Sequence, residues 1–144
     1  MAETACRIVP NFSLGAVLMD QCADLIAPWF QHASIVETHH PQKKDAPSGT
    51  ARHTQQRLMK HRSLTQNGVP EIHSIRSSGV LAKQTVSFGN PGETLALEHQ
   101  SIDRESFSSG IRLAISSVLS SGPGLIVGLW DLLKKSPTPY CDRA

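Results

Sequence analysis

The chain has 144 residues, a formal net charge of +2 and 39% hydrophobic residues, of which few are aromatic. That length predicts a single domain, 1–144, with a real core. The near-neutral balance, the absence of any long Lys/Arg run and the lack of interleaved aromatics exclude a nucleic-acid footprint. The longest apolar stretch, LIVGLW at 125–130, is far shorter than the roughly 20 residues a bilayer-spanning helix needs.

MAETACRIVPNFS has no apolar signal-peptide core, and Met1 with a short unrelated lead reads as a native start. Cys6, Cys22 and Cys141 stand at unrelated spacings with no CxxC. This predicts reduced thiols in a cytoplasmic protein, Cys22 on an apolar helix face and no metal site.

In chain order, Ser13 is the expected N-cap of a helix over about 14–27, with Leu18, Cys22, Leu25 and Ile26 as its apolar stripe and Pro28 as its stop. ASIVET (33–38) reads as a strand that runs into His39 and His40. Residues 39–47 carry two prolines and are loop; Ser48 then caps a helix through SGTARHTQQRLMK, which ends before Asn67-Gly68. Strands are expected over 71–77, 84–88 and 94–99, the last two joined by the NPGE turn at 90–93. Val86 and Phe88 share one face, as do Leu95 and Leu97, so one side of the sheet is expected to be buried. A helix over about 104–119 has Phe107, Ile111, Ala114, Ile115 and Val118 as its stripe, and LIVGLWDLLKK (125–135) reads as a short closing helix. The fold class is therefore α+β: a mixed open sheet of about four strands, with helices on one face. No strand leads into a glycine-rich turn and helix, so neither a dinucleotide fingerprint nor a P-loop is present.

The chemistry concentrates in ETHHPQKKDAPSGTA (37–51). A helix opening on Ser48-Gly49-Thr50 offers backbone N–H groups, two hydroxyls and the positive end of a helix dipole, which together favour a carboxylate or phosphate. Lys43 and Lys44 add cations across a proline-stiffened loop, and Asp45 tethers it. His39 and His40 stand where the strand ends, and a ring there can give or take a proton near neutrality. A lysine beside them can have its pKa lowered by partial desolvation. Each feature alone is an ordinary surface-loop or capping feature. Their coincidence within one loop points to an acid–base site for an anionic small molecule. The adjacent histidines point in different directions and lack a third ligand at metal spacing, so no metal is expected.

The stretch resembles the dihydrodipicolinate reductase signature E-x-H-H-x-x-K-x-D-A-P-S-G-T-A and matches it at every fixed position. PNFSLGAVLM (10–19), VSFGNPGETLALEHQSIDRESFSSG (86–110) and GLWDLL (128–133) resemble further landmarks of that family's C-terminal domain, so the resemblance covers about 9–133. It implies that His39 and Lys43 form the acid–base pair. It also implies that His40, Lys43, Ser48, Gly49 and Thr50 hold the carboxylates of a cyclic dicarboxylate. A homotetramer built through the sheets is implied as well.

Two departures bear on function. The family's N-terminal Rossmann domain, which binds NAD(P)H, has no counterpart in this sequence. Gln84 stands where the family carries a histidine, in A82-K83-Q84-T85-V86-S87-F88. The first expectation is accordingly a cofactor-independent acid–base enzyme of the isomerase, dehydratase or cyclase type, acting on a cyclic imine or dihydropyridine-like carboxylate through His39 and Lys43. The second is the substrate half of a split reductase, with NAD(P)H supplied by a separate nucleotide-binding subunit. The third is a non-catalytic carboxylate-binding or assembly module.

Overall fold

A computed structural model describes residues 4–135 of the chain; Cys141 lies outside them. By internal packing the chain divides into two compact units, one made of residues up to Val17 together with those from Arg104 on, the other spanning Leu18–Asp103.

The Leu18–Asp103 unit is built on a four-stranded mixed sheet. Strands β2 (His32–His39), β3 (Glu71–Arg76), β4 (Ala82–Asn90) and β5 (Glu93–Ser101) lie in the order β3-β2-β4-β5. β2 and β3 are parallel, joined through helices α2 (Gly49–Leu58) and α3 (Arg62–Thr65), whereas β4 runs antiparallel to β2 and to β5. The expected α+β class, the four strands and the helices on one face are all found. The β4–β5 turn is the one the sequence signals: Pro91 supplies the fixed φ, and Gly92 takes a φ of +85° that a side chain would resist. Inward-facing Ile35, Val86 and Phe88 pack with Ala51 and Leu58 of α2 and with Leu64 of α3. Phe30 lies against Phe88 with ring centroids 5.5 Å apart.

Helix α1 (Leu14–Ile26) begins at Ser13, whose hydroxyl accepts from the Ala16 N–H, and Pro28 closes it in a 3-10 turn. Its expected stripe is corrected by the structure. Leu18, Cys22 and Leu25 face outward, Leu25 with 75% exposure, whereas Ile26 packs against the core as expected. The buried positions of the helix are Ala16, Met19, Asp20 and Ala23, followed by Ala27 in the 3-10 turn. Alanine carries little weight in an apolar count, yet only small side chains let the helix approach Ala51 and Ile35 closely. Asp20 and Asp24 on the same helix ion-pair with Arg57, while His61 binds Asp24 at 2.8 Å.

In the other unit, β1 (Ala5–Ile8) and β6 (Gly124–Val127) form a two-stranded parallel sheet that the sequence reading did not foresee. The expected closing helix over 125–135 is thereby shortened: its first residues are strand, and only α5 (Trp130–Lys135) is helical. Arg7 of β1 donates to the hydroxyl and the carbonyl of Ser117 in the last turns of α4 (Ser108–Ser120), where a cation suits the helix dipole. The stripe expected for that helix is also revised. Ile111, Ile115 and Val118 are exposed, and Gly110 and Ala114 make the buried contacts. No helix among the described residues is long and apolar enough to cross a membrane.

Candidate active site

Strand β2 delivers Glu37 and His39 to the same face, two residues apart. The sheet register sets Ser74 of β3 beside Glu37 and Arg76 beside His39. Glu37 is completely buried. A carboxylate in that position needs a full set of donors, and it has them. The Ser48 N–H reaches Oε1 at 3.2 Å, Arg76 Nη1 lies 3.2 Å from both oxygens, and His39 Nδ1 contacts Oε2. Burial pushes the Glu37 pKa upward, but hydrogen bonds from Ser74, His39 and Arg76 more than offset it, so the group is held below its ordinary value of 4.5. Glu37 is therefore an anion at neutral pH. Burial lowers the His39 pKa below 6.5; the neighbouring Glu37 opposes that shift, and Lys43 and Arg76 reinforce it.

Arg76 also fixes the path of the loop. Its Nε donates to the Lys43 carbonyl at 3.2 Å and its Nη2 donates to the Asp45 carbonyl. The Lys43 N–H closes a turn onto the His40 carbonyl, and the Lys43 ammonium pairs with the Asp45 carboxylate at 2.7 Å. The ammonium beside Asp45 holds that carboxyl below its usual range. His40 sits next to Gln42, with Nδ1 3.1 Å from Oε1, and Lys44 is exposed. Ser48 is buried, and its hydroxyl caps α2 by accepting from the Ala51 N–H. Both the N–H and the hydroxyl of Ser48 are thus engaged internally, while Gly49 is exposed and Thr50 half-buried.

The residues singled out from sequence lie along the end of β2, the following loop and the start of α2. Glu37 joins His39 to the Ser48 N–H, Lys43 pairs with Asp45, His40 lies against Gln42, and Gly49 and Thr50 open α2. Sequence reasoning assigned no task to Glu37 and overlooked Arg76. A signal for the first did exist, because Glu37 follows Ile35 on the inward side of an alternating strand, where an acid requires a buried cation. Gln84 pairs in register with Glu37 from the other side, but its amide donates to Thr54 at 3.0 Å, and Thr54 in turn donates to Asp20. That side chain serves the α1–α2 packing. Among the described residues, no group of three or more acids, histidines or cysteines could hold a metal.

Comparison with known proteins decides the family. The family described as "Dihydrodipicolinate reductase, C-terminus" matches residues 13–133. The chain belongs to the dihydrodipicolinate reductase family. The 4-hydroxy-tetrahydrodipicolinate reductase of Mycobacterium ulcerans is 43% identical over 149 residues, covering 91% of this chain and 60% of the relative. That of Legionella pneumophila is 44% identical over 142 residues, with 88% and 58% covered. A dipicolinate-bound dihydrodipicolinate reductase from Paenisporosarcina sp. TG-14 superposes with a TM-score of 0.74 at 38% identity, over 88% of this chain and 54% of that one. The chain thus spans somewhat more than half the length of the relatives it matches.

Proposed function

We propose that this chain is the substrate-binding half of a dihydrodipicolinate-type reductase. It would hold a cyclic dicarboxylate on the 37–51 loop while a separate nucleotide-binding polypeptide supplies the hydride donor. The observation that supports this reading is the buried Glu37, which contacts His39, accepts from the Ser48 N–H at the start of α2 and, through Arg76, ties down the Lys43 carbonyl. In this reading Lys43 exchanges Asp45 for a substrate carboxylate, and His40 and the Gly49–Thr50 backbone receive the dicarboxylate at the positive end of the helix. Reduction at the ring takes up a hydride and one proton; His39, whose charged form burial disfavours, would take that proton from solvent and pass it to the ring.

The described residues do not fit a dinucleotide. Strand β1 passes to α1 through Val9-Pro10-Asn11-Phe12-Ser13, with no glycine to admit a pyrophosphate. NAD(P)H, the donor that the resemblance implies, would therefore be held outside the described residues, and no step through it is assigned to them. The parallel β1–β6 pair gives such a partner a place to join. The cofactor-independent isomerase, dehydratase or cyclase receives less support, since the matched relatives are named as reductases.

Titration of pyridine-2,6-dicarboxylate into the purified chain, with and without Lys43→Ala, tests the pocket. Binding that weakens at least tenfold in the variant is expected, the loss associated with a charged hydrogen bond. NADPH oxidation that appears only when a nucleotide-binding polypeptide of the family is added would support the split. Turnover of a ring substrate without nicotinamide would overturn it.

A further inference from the structure

We propose that Glu37 is a positioning residue that locks His39 in its Nδ1–H tautomer and leaves Nε2 as the ring's proton-accepting atom. The argument rests on hydrogen-bond inventory. An ionised carboxylate only accepts, so the histidine nitrogen that touches it must carry a proton. The ring nitrogen touching Glu37 Oε2 is Nδ1, and a neutral imidazole protonated there has its lone pair on Nε2.

Glu37 cannot readily turn to another partner. It is fully buried and held on both oxygens by Arg76, and on Oε1 by the Ser48 N–H. The charged groups acting on His39 are Glu37, Lys43 and Arg76, with Asp45 also within range. Of these, Glu37 is the one that contacts the ring. Through Arg76 the same carboxylate is tied to the carbonyls of Lys43 and Asp45. One buried acid thus sets both the tautomer of the ring and the path of the loop that carries the lysine. The catalytic value of the bare Nε2 rests on the proposed reductase reading; the tautomer does not.

The test is long-range 1H–15N correlation of the histidine side chains in the uniformly labelled full chain across pH 6 to 8. The His39 signals are assigned by their loss in His39→Gln. Wild type is expected to show a protonated Nδ1 and a bare Nε2. In Glu37→Gln the amide oxygen stays with Arg76 and its NH2 group donates to Nδ1, so the ring is expected to switch to Nε2–H. Wild-type His39 in the Nε2–H form overturns the proposal outright, even if the variant fails to fold. A folded Glu37→Gln that keeps Nδ1–H also overturns it, because the lock would then lie elsewhere. Dipicolinate titration of the same samples separates the two ideas: a correct tautomer without dipicolinate binding leaves the positioning role standing and removes the substrate reading.

Discussion

Arg76 shows how a site can depend on a side chain far from it in sequence. Its guanidinium bridges Glu37 on β2 to two carbonyls of the loop, a fork geometry that lysine cannot reproduce. Arg76→Lys is expected to weaken dipicolinate binding about tenfold or more by calorimetry, and Arg76→Ala also to destabilise the fold by about 3–5 kcal/mol through the uncompensated Glu37 charge. Asp45 acts in the opposite direction. It occupies the Lys43 ammonium in the free protein and is itself exposed, so Asp45→Asn is expected to tighten dipicolinate binding by roughly twofold to fivefold, the scale of an exposed ion pair. A weakened Asp45→Asn would show that the aspartate orders the loop more than it competes. The contiguous part of the site was legible in the sequence, since its residues fall within one short stretch. Arg76 was not, because it joins through the β2–β3 register, which exists only in the folded sheet.

At the level of elements, capping, turn chemistry and the buried Val86/Phe88 face of the sheet were read well, and helix faces were read poorly. Ser13, Ser48 and the Pro91-Gly92 turn are local, and each appears where its chemistry placed it. The stripes of α1 and α4 were only partly right: Ile26 and Ala114 pack inward as expected, but most of the larger members face outward. The closest approaches are made by small residues such as Ala23 and Gly110, which a hydrophobicity pattern undervalues. Gly110 is the limiting case. A Cβ there would lie 2.0 Å from the Phe12 carbonyl oxygen and 2.9 Å from Leu129 Cδ1, and a backbone atom cannot swing aside. Gly110→Ala is therefore expected to lower stability by about 1–3 kcal/mol in urea denaturation, the range for overpacked sites. An unchanged midpoint would mean that α4 can slide on the Phe12 segment. Strands β1 and β6 escaped detection because each has four residues and its partner lies at the opposite end of the sequence, too short and too non-local for any periodic signal.

For the whole molecule, pH and surface each lead to a prediction. His39 and His99 are depressed below 6.5, chiefly by burial. The unfolded chain therefore binds more protons than the folded one as pH falls through 6.5, and stability declines there. Glu37 and Asp24 are held below their ordinary values of 4.5 and 3.8, so their contribution is present above those values and lost on further acidification through the lower folded ones. Urea midpoints measured from pH 8 to pH 3 are expected to fall in two stages, and His39→Gln to reduce the first. A midpoint that stays flat between pH 7 and 5 would contradict this.

The surface prediction concerns the parallel pair. Register sets Cys6 beside Leu125 and Ile8 beside Val127, so four apolar side chains share one exposed face, while Ile126, on the other face, packs with Ala114 and Leu129. Purely parallel sheets occur almost only with both faces covered, and an isolated two-stranded pair is marginal in water. Under the proposed function, the occupant of this face would be a nucleotide-binding α/β unit, which would add parallel strands at the edge and a helix over it. Ile8→Lys with Val127→Lys places two charges where that helix would lie. In a mixture with a nucleotide-binding partner, the double variant is expected to lose NADPH oxidation. Its dipicolinate affinity should stay within about twofold of wild type, since the loop belongs to the Leu18–Asp103 unit. Retained oxidation would mean that the partner docks elsewhere. Loss of both readouts would mean that this face supports the folding of the chain itself.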